Sequence, residues 1–198
     1  MNLKPDTCHS YQQAAGWIPG RLTACIHTDL TAEDHLLRRF HHKARQKYNK
    51  SVRMGYKAGR MEWSYRNERL EDIRQINISM PDRQGRAMHP SYSTPYVIEP
   101  GEQCPAHNIN LILCVDARGV IVGYCEWYKI GEFAYTSRIL GHAAHLDNGI
   151  MYAVILEFYR EVRALGCKVA VYGEWLSGHG PGLKFFKEQC GFKPETLM

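Results

Sequence analysis

The stretch NINLILCVDARGVIVGYCEWYK, from Asn108 to Lys129, decides the fold. Ile109–Asp116 is a largely apolar run, and Val120–Lys129 is a second run rich in strand-forming residues. The tripeptide between them, Ala117-Arg118-Gly119, has the composition of a tight turn. The stretch therefore predicts an antiparallel hairpin of two β-strands.

Further elements follow on the carboxyl side of this hairpin and alternate between strand and helix. In chain order they are a strand Phe133–Leu140, a loop Gly141–Asn148, a helix Gly149–Leu165, a strand Lys168–Tyr172 and a helix Pro181–Cys190. Apolar residues at three- and four-residue spacing mark the long helix, and Gly166 is placed to end it. This order predicts a fold of the α/β (α+β) class.

The end of the chain resembles a known family. Residues 182–194 read GLKFFKEQCGFKP, in which a helix leads into a Gly-Phe-Lys-Pro strand. With the order of elements from Asn108 onward, this ending resembles the GCN5-related N-acetyltransferase (GNAT) superfamily. Its nearest branch is the Fem-type peptidyltransferases, which also carry a lone Phe-Lys in this helix and a basic early helix.

The resemblance implies a central mixed, mostly antiparallel sheet flanked by helices, and an acyltransferase activity. It implies one GNAT-like domain over residues 1–198. Within that domain we expect an irregular lead-in (1–30), a helical substrate-side half (31–100) and an acyl-donor-binding core (108–198).

The resemblance also implies a site for an acyl-CoA donor such as acetyl-CoA. In the superfamily, the loop before the long helix offers backbone N–H groups to the cofactor pyrophosphate at the positive end of the helix dipole. The expected cofactor-binding residues are Gly141, His145, Asn148, Gly149, Ile150 and Lys187.

Acyl transfer to an amine needs a base for the ammonium proton. Glu126 lies within an apolar strand, where burial would raise its pKa towards neutrality. On an alternating strand the same residue could instead face solvent. The other catalytic candidates are His142, in the loop Gly141–Asn148 before the long helix (the donor loop), and Tyr172, at the end of a strand. Glu174 marks the same strand end, and His179 stands in the turn before the last helix.

Metal binding is not predicted. His142 and His145 stand three residues apart, where they could bind phosphate, relay protons or ligate a metal, but the sequence supplies no clear third ligand.

The seven cysteines are scattered and mostly lie in apolar runs, as is typical of buried, reduced thiols. With neither a secretory signal nor a stretch of about 20 apolar residues, we expect a cytoplasmic protein without a membrane partner.

Positive charge is concentrated in the amino-terminal half. Residues 38–60 contain nine Lys or Arg and no Asp or Glu, although the net charge of the whole chain is only +5. A helix with one apolar stripe is predicted from about residue 31 to about residue 55. Such a block attracts polyanions, so Arg45 and Tyr48 are candidates to contact nucleic-acid phosphates and bases, or else they lie on a solvated face.

A short strand is predicted over 60–66, a helix over 69–80 and a loop over 82–88. In that loop Arg83, Gln84 and Arg86 could hold the phosphate or carboxylate of a substrate, because arginine binds such groups through two parallel hydrogen bonds.

Three functions follow as hypotheses. The first is an N-acyltransferase that moves an acyl group from acyl-CoA to an amine, which a nucleic acid could carry. The second is a Fem-like, tRNA-dependent aminoacyl transferase, whose basic helix would bind the tRNA phosphates. The third is a non-catalytic module that binds DNA or tRNA through residues 38–60.

Overall fold

The strands and helices are those of a computed structural model, which describes residues 21–28, 38, 40–83, 86–101, 103–175 and 181–197. The strands are β1 (Leu22–His27), β2 (Lys57–Arg60), β3 (Asp82–Arg83), β4 (Arg86–Ala87), β5 (His107–Val115), β6 (Ile121–Ile130), β7 (Phe133–Gly141), β8 (Val169–Glu174) and β9 (Lys193–Thr196). The helices are α1 (His42–Arg53), α2 (Trp63–Asn67), α3 (Leu70–Ile78), α4 (Ala143–Leu146), α5 (Ile150–Ala164) and α6 (Pro181–Gln189), with a 3-10 turn at Pro90–Ser93.

Seven strands form one sheet in the order β2-β5-β6-β7-β8-β1-β9, and β3 and β4 form a separate small ribbon. Neighbours in the large sheet are antiparallel except β7 and β8, which are parallel. The predicted hairpin is its centre, where β5 and β6 pair from His107 opposite Ile130 to Val115 opposite Ile121. The predicted fold class, a mostly antiparallel mixed sheet flanked by helices, is confirmed.

The parallel pair separates partway along its length. Pairing begins with Phe133 opposite Val169 and ends with Tyr135 opposite Val171. Strand β7 continues to Gly141, and β8 also extends further, but the two no longer pair with each other. Because strands that stop pairing leave backbone groups on their facing edges, this divergence creates a V-shaped cleft with hydrogen-bonding walls.

A β-bulge on β7 determines the face on which its later residues lie. Glu126 of β6 is opposite Arg138, but the next residue, Trp127, is opposite Thr136, so Ser137 is an extra residue. Since side chains alternate with a period of two, one extra residue moves all later side chains to the other face. Arg138 consequently lies on the same face as Glu126 and pairs with it.

Helices cover both faces of the sheet. Helices α1 and α5 pack on one face, where the rings of Trp127 and Phe158 have centroids 5.4 Å apart. Helices α2 and α3 pack on the other, where Ile73 and Ile76 join Tyr124 in a second apolar cluster. Full burial of one such side chain contributes roughly 1.5–3 kcal/mol, so both faces stabilise the sheet. No helix within the described ranges is long and apolar enough to cross a lipid bilayer.

The largest correction concerns the amino-terminal lead-in. Leu22–His27 was expected to be irregular, but it forms β1, with four buried residues between two exposed ends. It lies between β8 and β9, so both its partners come from the far end of the chain. A local sequence pattern cannot show such partners.

Two further predictions about elements are wrong. No strand covers 60–66, because β2 ends at Arg60 and α2 begins at Trp63. The segment 82–88 is not a simple loop, because it contains the β3–β4 ribbon. The predicted helices over 69–80, 149–165 and 181–190 are confirmed within a few residues. Helix α1 begins at His42, and the predicted helix start near residue 31 lies outside the described residues.

Candidate functional site

The opening between β7 and β8 contains two adjoining cavities, of about 460 and 590 Å³. Both are lined by Arg83, Ile139, Leu140, Tyr172 and Leu183, so they are two parts of one cleft. Cavities of this size are typical of sites for small molecules or for the end of a larger ligand.

The cavity of about 460 Å³ is the polar chamber. Besides the five shared residues, it is lined by Ala87, Met88, His89, Tyr92, Ser137, Arg138 and Lys187. Arg83, Arg138 and Lys187 supply three cationic groups, and none of the described residues that line the chamber carries a carboxylate. The chamber therefore attracts negative charge.

The cavity of about 590 Å³ is the apolar chamber. Besides the shared residues, it is lined by Lys47, Met80, Gly141, Leu146, Asp147, Met151, Tyr152, Gly182, Phe185 and Phe186. The Tyr152 and Phe186 rings have centroids 4.9 Å apart, and Phe185 is half exposed. Such a wall suits a flat or apolar group.

Glu126 is buried between two arginines. Its Oε1 lies 3.4 Å from Arg66 Nε, and its Oε2 lies 3.4 Å from Arg138 Nη1. Burial raises the pKa of the Glu126 carboxyl group, and the two guanidinium groups oppose that rise. Glu126 lines neither chamber, so the structure places this candidate base behind Arg138.

Arg138 forms part of the cleft wall. Its Nη2 lies 3.5 Å from the Tyr96 hydroxyl, and its guanidinium carbon lies 5.7 and 5.8 Å from the ring centroids of Tyr92 and Tyr96. Burial alone would lower the pKa of Arg138, but the Glu126 carboxylate and Tyr96 raise it above its ordinary value. Arg138 is therefore a fixed cation whose side chain is about one-third exposed.

Tyr172 and Glu174 lie at the end of β8, as the sequence predicted, and Lys187 lies beside both. Lys187 Nζ donates to the carbonyl oxygen of Glu174 at 2.7 Å and lies 4.9 Å from the centroid of the Tyr172 ring. Burial lowers the pKa of Lys187 to about 8, against the raising effect of Glu174. Burial raises the pKa of the Tyr172 hydroxyl, which keeps it protonated near neutrality.

The loop before α5 was the expected pyrophosphate site, and its amides already have partners. The His142 N–H group donates to the Val122 carbonyl oxygen. Those of Ala143, Ala144, His145, Asn148 and Gly149 also donate within the protein. Ser79 Oγ accepts the first at 3.0 Å and His142 Nδ1 the second at 3.3 Å, while loop carbonyls accept the other three. A pyrophosphate bound to these amides would have to displace those bonds.

The first turn of α5 faces α1. Gly149 has a φ of +82°, and a Cβ atom at this position would lie 2.1 Å from the carbonyl oxygen of Lys47. Lys47 and Lys50 donate from Nζ to the Asp147 carbonyl oxygen at 3.0 and 3.1 Å. Ile150 is fully buried. Gly149 and Ile150, predicted to bind the cofactor, therefore pack against protein.

The two loop histidines belong to a polar cluster. Tyr56 Oη lies 2.8 Å from His145 Nδ1 and accepts from Asn148 Nδ2 at 3.0 Å, while the His142 and His145 rings are 5.3 Å apart. Burial lowers the pKa of His142, and His145 and Arg83 lower it further. In the described part of the chain, no three His, Cys, Asp or Glu residues are grouped to hold a metal ion.

Arg83 ties three segments together. Its guanidinium group donates to the carbonyl oxygens of Gly141 and Ile76 and to Ser79 Oγ, at 2.7–3.2 Å. Most of its donors are thus committed to the protein, although its charge still faces the cleft. Gln84 and the side chain of Arg86 lie outside the described residues, as does His179.

The nucleic-acid candidates on α1 lie outside both chambers. Arg45 and Tyr48 are half-buried, and Tyr48 packs against the main apolar cluster. Lys47 alone of the basic residues on α1 reaches the apolar chamber.

Sequence reasoning missed Arg138, Arg66 and Ser79. Arg138 lies within the predicted strand Phe133–Leu140, three residues before the predicted loop, and a charged residue in such a run is a usable signal. No local pattern marks Arg66 or Ser79, because their partners lie 60 and 64 residues away along the chain.

Comparisons with known proteins agree with this architecture. No family model and no curated protein matches the chain. The structure of FemX matches with a TM-score of 0.67 and 13% identity, over 91% of this chain and 60% of that one. The C-terminal domain (DUF2156) of a putative lysylphosphatidylglycerol synthetase from Agrobacterium fabrum matches with a TM-score of 0.55 and 13% identity, as does L-PGS from Bacillus licheniformis.

Each of the latter two matches covers 89% of this chain and 59% of the other. The chain thus spans about three fifths of the length of its structural neighbours. At 13% identity the likeness shows the fold alone, and that fold is Fem-like.

Proposed function

We propose that this chain is a Fem-type aminoacyl transferase, which takes an aminoacyl group from aminoacyl-tRNA and places it on an amine. The observation that supports the proposal most is the cleft between β7 and β8, which joins a cationic polar chamber to an aromatic apolar chamber. The ester-linked end of a charged tRNA offers both an aromatic base and negative charge, so it complements the two chambers.

The donor loop supports aminoacyl-tRNA over acyl-CoA. Its amides donate to Ser79, His142 and loop carbonyls, so a CoA pyrophosphate bound to them would have to displace those bonds. Lys47 of α1 lines the apolar chamber, so the basic surface of α1 begins at the edge of the cleft. This surface could contact tRNA phosphates further from the aminoacyl end of the tRNA.

The chemistry asked of the cleft is simple. The neutral acceptor amine forms a C–N bond to the ester carbonyl carbon, the C–O bond to the tRNA ribose breaks, and the ribose oxygen takes the proton that the amine loses. Negative charge develops on the carbonyl oxygen, where Lys187 in its charged form would stabilise it. Backbone groups on the separated edges of β7 and β8 can form hydrogen bonds to the aminoacyl group and hold its ester carbonyl beside the acceptor amine.

Binding and transfer test the proposal. We expect a mixture of charged tRNAs to bind with a dissociation constant that weakens steeply with KCl, and acetyl-CoA to leave the melting temperature unchanged. Transfer is measured as conversion of alkali-labile, ester-linked label to alkali-stable amide in a mixture of amines. A rise in melting temperature with acetyl-CoA, together with acetyl transfer, would instead favour the acyl-CoA hypothesis.

A charge-reversal pair provides the control. Lys43→Glu, on the exposed face of α1, should weaken tRNA binding and reduce by about one the slope of the logarithm of the binding constant against the logarithm of the KCl concentration. Lys168→Glu, at the opposite end of β8 from the cleft, should leave both unchanged. Equal binding of charged tRNA, uncharged tRNA and duplex DNA without any transfer would point to the non-catalytic module.

A further inference from the structure

We propose that a small cavity behind the cleft wall, between Arg66 and Arg138, binds a single chloride ion. The cavity has a volume of about 30 Å³ and adjoins the polar chamber, with which it shares Tyr92 and Arg138. Six of its lining residues carry a guanidinium, amide or phenol group, namely Arg66, Arg138, Asn77, Tyr92, Tyr96 and Tyr124. Such an ion site does not depend on the proposed transferase activity.

The charges around this cavity do not balance. None of the described residues that line it carries a carboxylate. The Glu126 carboxylate group lies 3.4 Å from Arg66 and 3.4 Å from Arg138, so one negative charge is shared between two guanidinium groups. The Arg66 side chain is only 2% exposed, so bulk water does not solvate its charge. Because an uncompensated charge in a protein interior is costly, an anion beside Arg66 would stabilise the fold.

Arg66 also has hydrogen-bond donors without acceptors. Its Nη1 donates to the Tyr96 carbonyl oxygen at 2.9 Å and to Asn67 Oδ1 at 3.2 Å. Its Nε lies 3.4 Å from Glu126 Oε1 but is buried without a hydrogen bond, and no described residue accepts from Nη2. Arginine has five N–H donors, and buried donors rarely stay unpaired. The cavity is therefore the place for a further acceptor beside Arg66.

Asn77 offers a donor from another side of the cavity. Its Oδ1 accepts from the Tyr124 hydroxyl group at 2.8 Å, and its Nδ2 donates to the Tyr92 carbonyl oxygen at 2.9 Å. The Tyr124 bond fixes the orientation of the amide, and one of the two N–H bonds of Nδ2 has no acceptor among the described residues. A buried amide and a buried guanidinium group thus share the same need for an acceptor.

Size and charge together favour chloride. A cavity needs roughly 10–15 Å³ to hold one water molecule, so about 30 Å³ holds about two waters or one halide ion. Acetate, phosphate and sulfate are larger and fit the polar chamber instead. Water would accept hydrogen bonds from Arg66 and Asn77 but would leave the surplus charge uncompensated, whereas chloride does both.

Thermal unfolding at constant ionic strength, with sodium chloride replacing sodium gluconate, measures this binding. We expect the melting temperature to rise with the logarithm of the chloride concentration, as for any ligand that binds only the folded chain. Sodium acetate in place of gluconate should give no such rise. A melting temperature that does not depend on chloride, or an equal effect of acetate, would overturn the proposal, the latter because acetate reaches only the polar chamber.

Two substitutions should change the chloride affinity in opposite directions. Arg66→Gln removes the buried cation and should weaken binding by about tenfold or more, since a hydrogen bond to a charged group is worth at least that factor. Glu126→Gln removes the carboxylate that competes for both guanidinium groups and should strengthen binding. Arg118→Gln, on an exposed turn, is the matched control and should bind chloride as the unsubstituted protein does. Unchanged binding in both the Arg66 and the Glu126 variants would contradict the site.

Bromide locates the ion without any substitution. Crystals of the unsubstituted protein soaked in sodium bromide should show anomalous scattering in the cavity between Arg66 and Arg138. Bromide confined to the polar chamber or to the surface, with water alone in the cavity, would overturn the proposal, whether or not tRNA binding and aminoacyl transfer are observed.

Discussion

Gly149 is a single residue on which the packing of α1 against α5 depends. Its φ of +82° costs a residue with a side chain about 1–2 kcal/mol, and a Cβ atom would also lie 2.1 Å from Lys47 O. We expect Gly149→Ala to lower the free energy of unfolding in urea by about 3 kcal/mol or more. Gly166→Ala is the control, because Gly166 has a similar φ of +69° and open space around it, so the loss should be only about 1–2 kcal/mol. Equal losses would contradict the packing described for Gly149.

The burial of Lys187 makes the free energy of unfolding depend on pH, and the lowered pKa fixes the direction of that dependence. Its pKa is about 8 in the folded chain against 10.5 ordinarily, so between these values the unfolded chain binds more protons. The penalty for burying this amine is fully present below pH 8 and disappears as pH rises towards 10.5. The stability of Lys187→Met relative to the unsubstituted protein should therefore be higher at pH 7 than at pH 10, as measured by urea unfolding. A difference independent of pH would show that the amine is not desolvated.

Among the strands, the bulge on β7 controls the composition of the cleft. Deleting Ser137 would leave an unbroken ladder in which Arg138 still lies opposite Glu126. Deleting Ile139 instead would leave β7 one residue short beyond the bulge, so that either Leu140 turns away from its apolar cluster or Arg138 turns away from Glu126. We expect the Ile139 deletion to lower the free energy of unfolding in urea by about 3 kcal/mol or more, since either outcome takes a buried group from its partners, and the Ser137 deletion to cost less. Ser137→Ala keeps the bulge and should be nearly neutral. Equal losses for the two deletions would contradict the register described for β7.

The same strands show what a sequence can predict. The turn at 117–119 and the runs on either side fix the hairpin locally, so β5 and β6 were predicted almost to the residue. β1 could not be predicted, because its burial depends on β8 and β9 from the other end of the chain. The bulge was equally hidden, since the extra residue is defined by pairing between β6 and β7 and not by residue type.

For the molecule as a whole, the position of the cleft could be predicted from the sequence, but the hydrogen-bond partners of the residues around it could not. Tyr172 and Glu174 meet Lys187 there because the first two lie at the end of β8 and the third lies on α6, an arrangement that the order of elements implies. The role of the donor loop could not be predicted, because its Ala143 amide donates to Ser79, which only the folded chain brings close. Arg83 was selected for its chemistry, but folding commits its donors to Gly141 and Ile76.

Hydrogen exchange on the segment 136–141 of β7 tests the central claim most directly, because this edge faces the cleft where β8 has diverged. In the free protein we expect this segment to exchange faster than 133–135, which pairs with β8. Charged tRNA should slow exchange over 136–141, while uncharged tRNA should protect it less and acetyl-CoA should leave it unchanged. Protection by acetyl-CoA and not by charged tRNA would contradict the account.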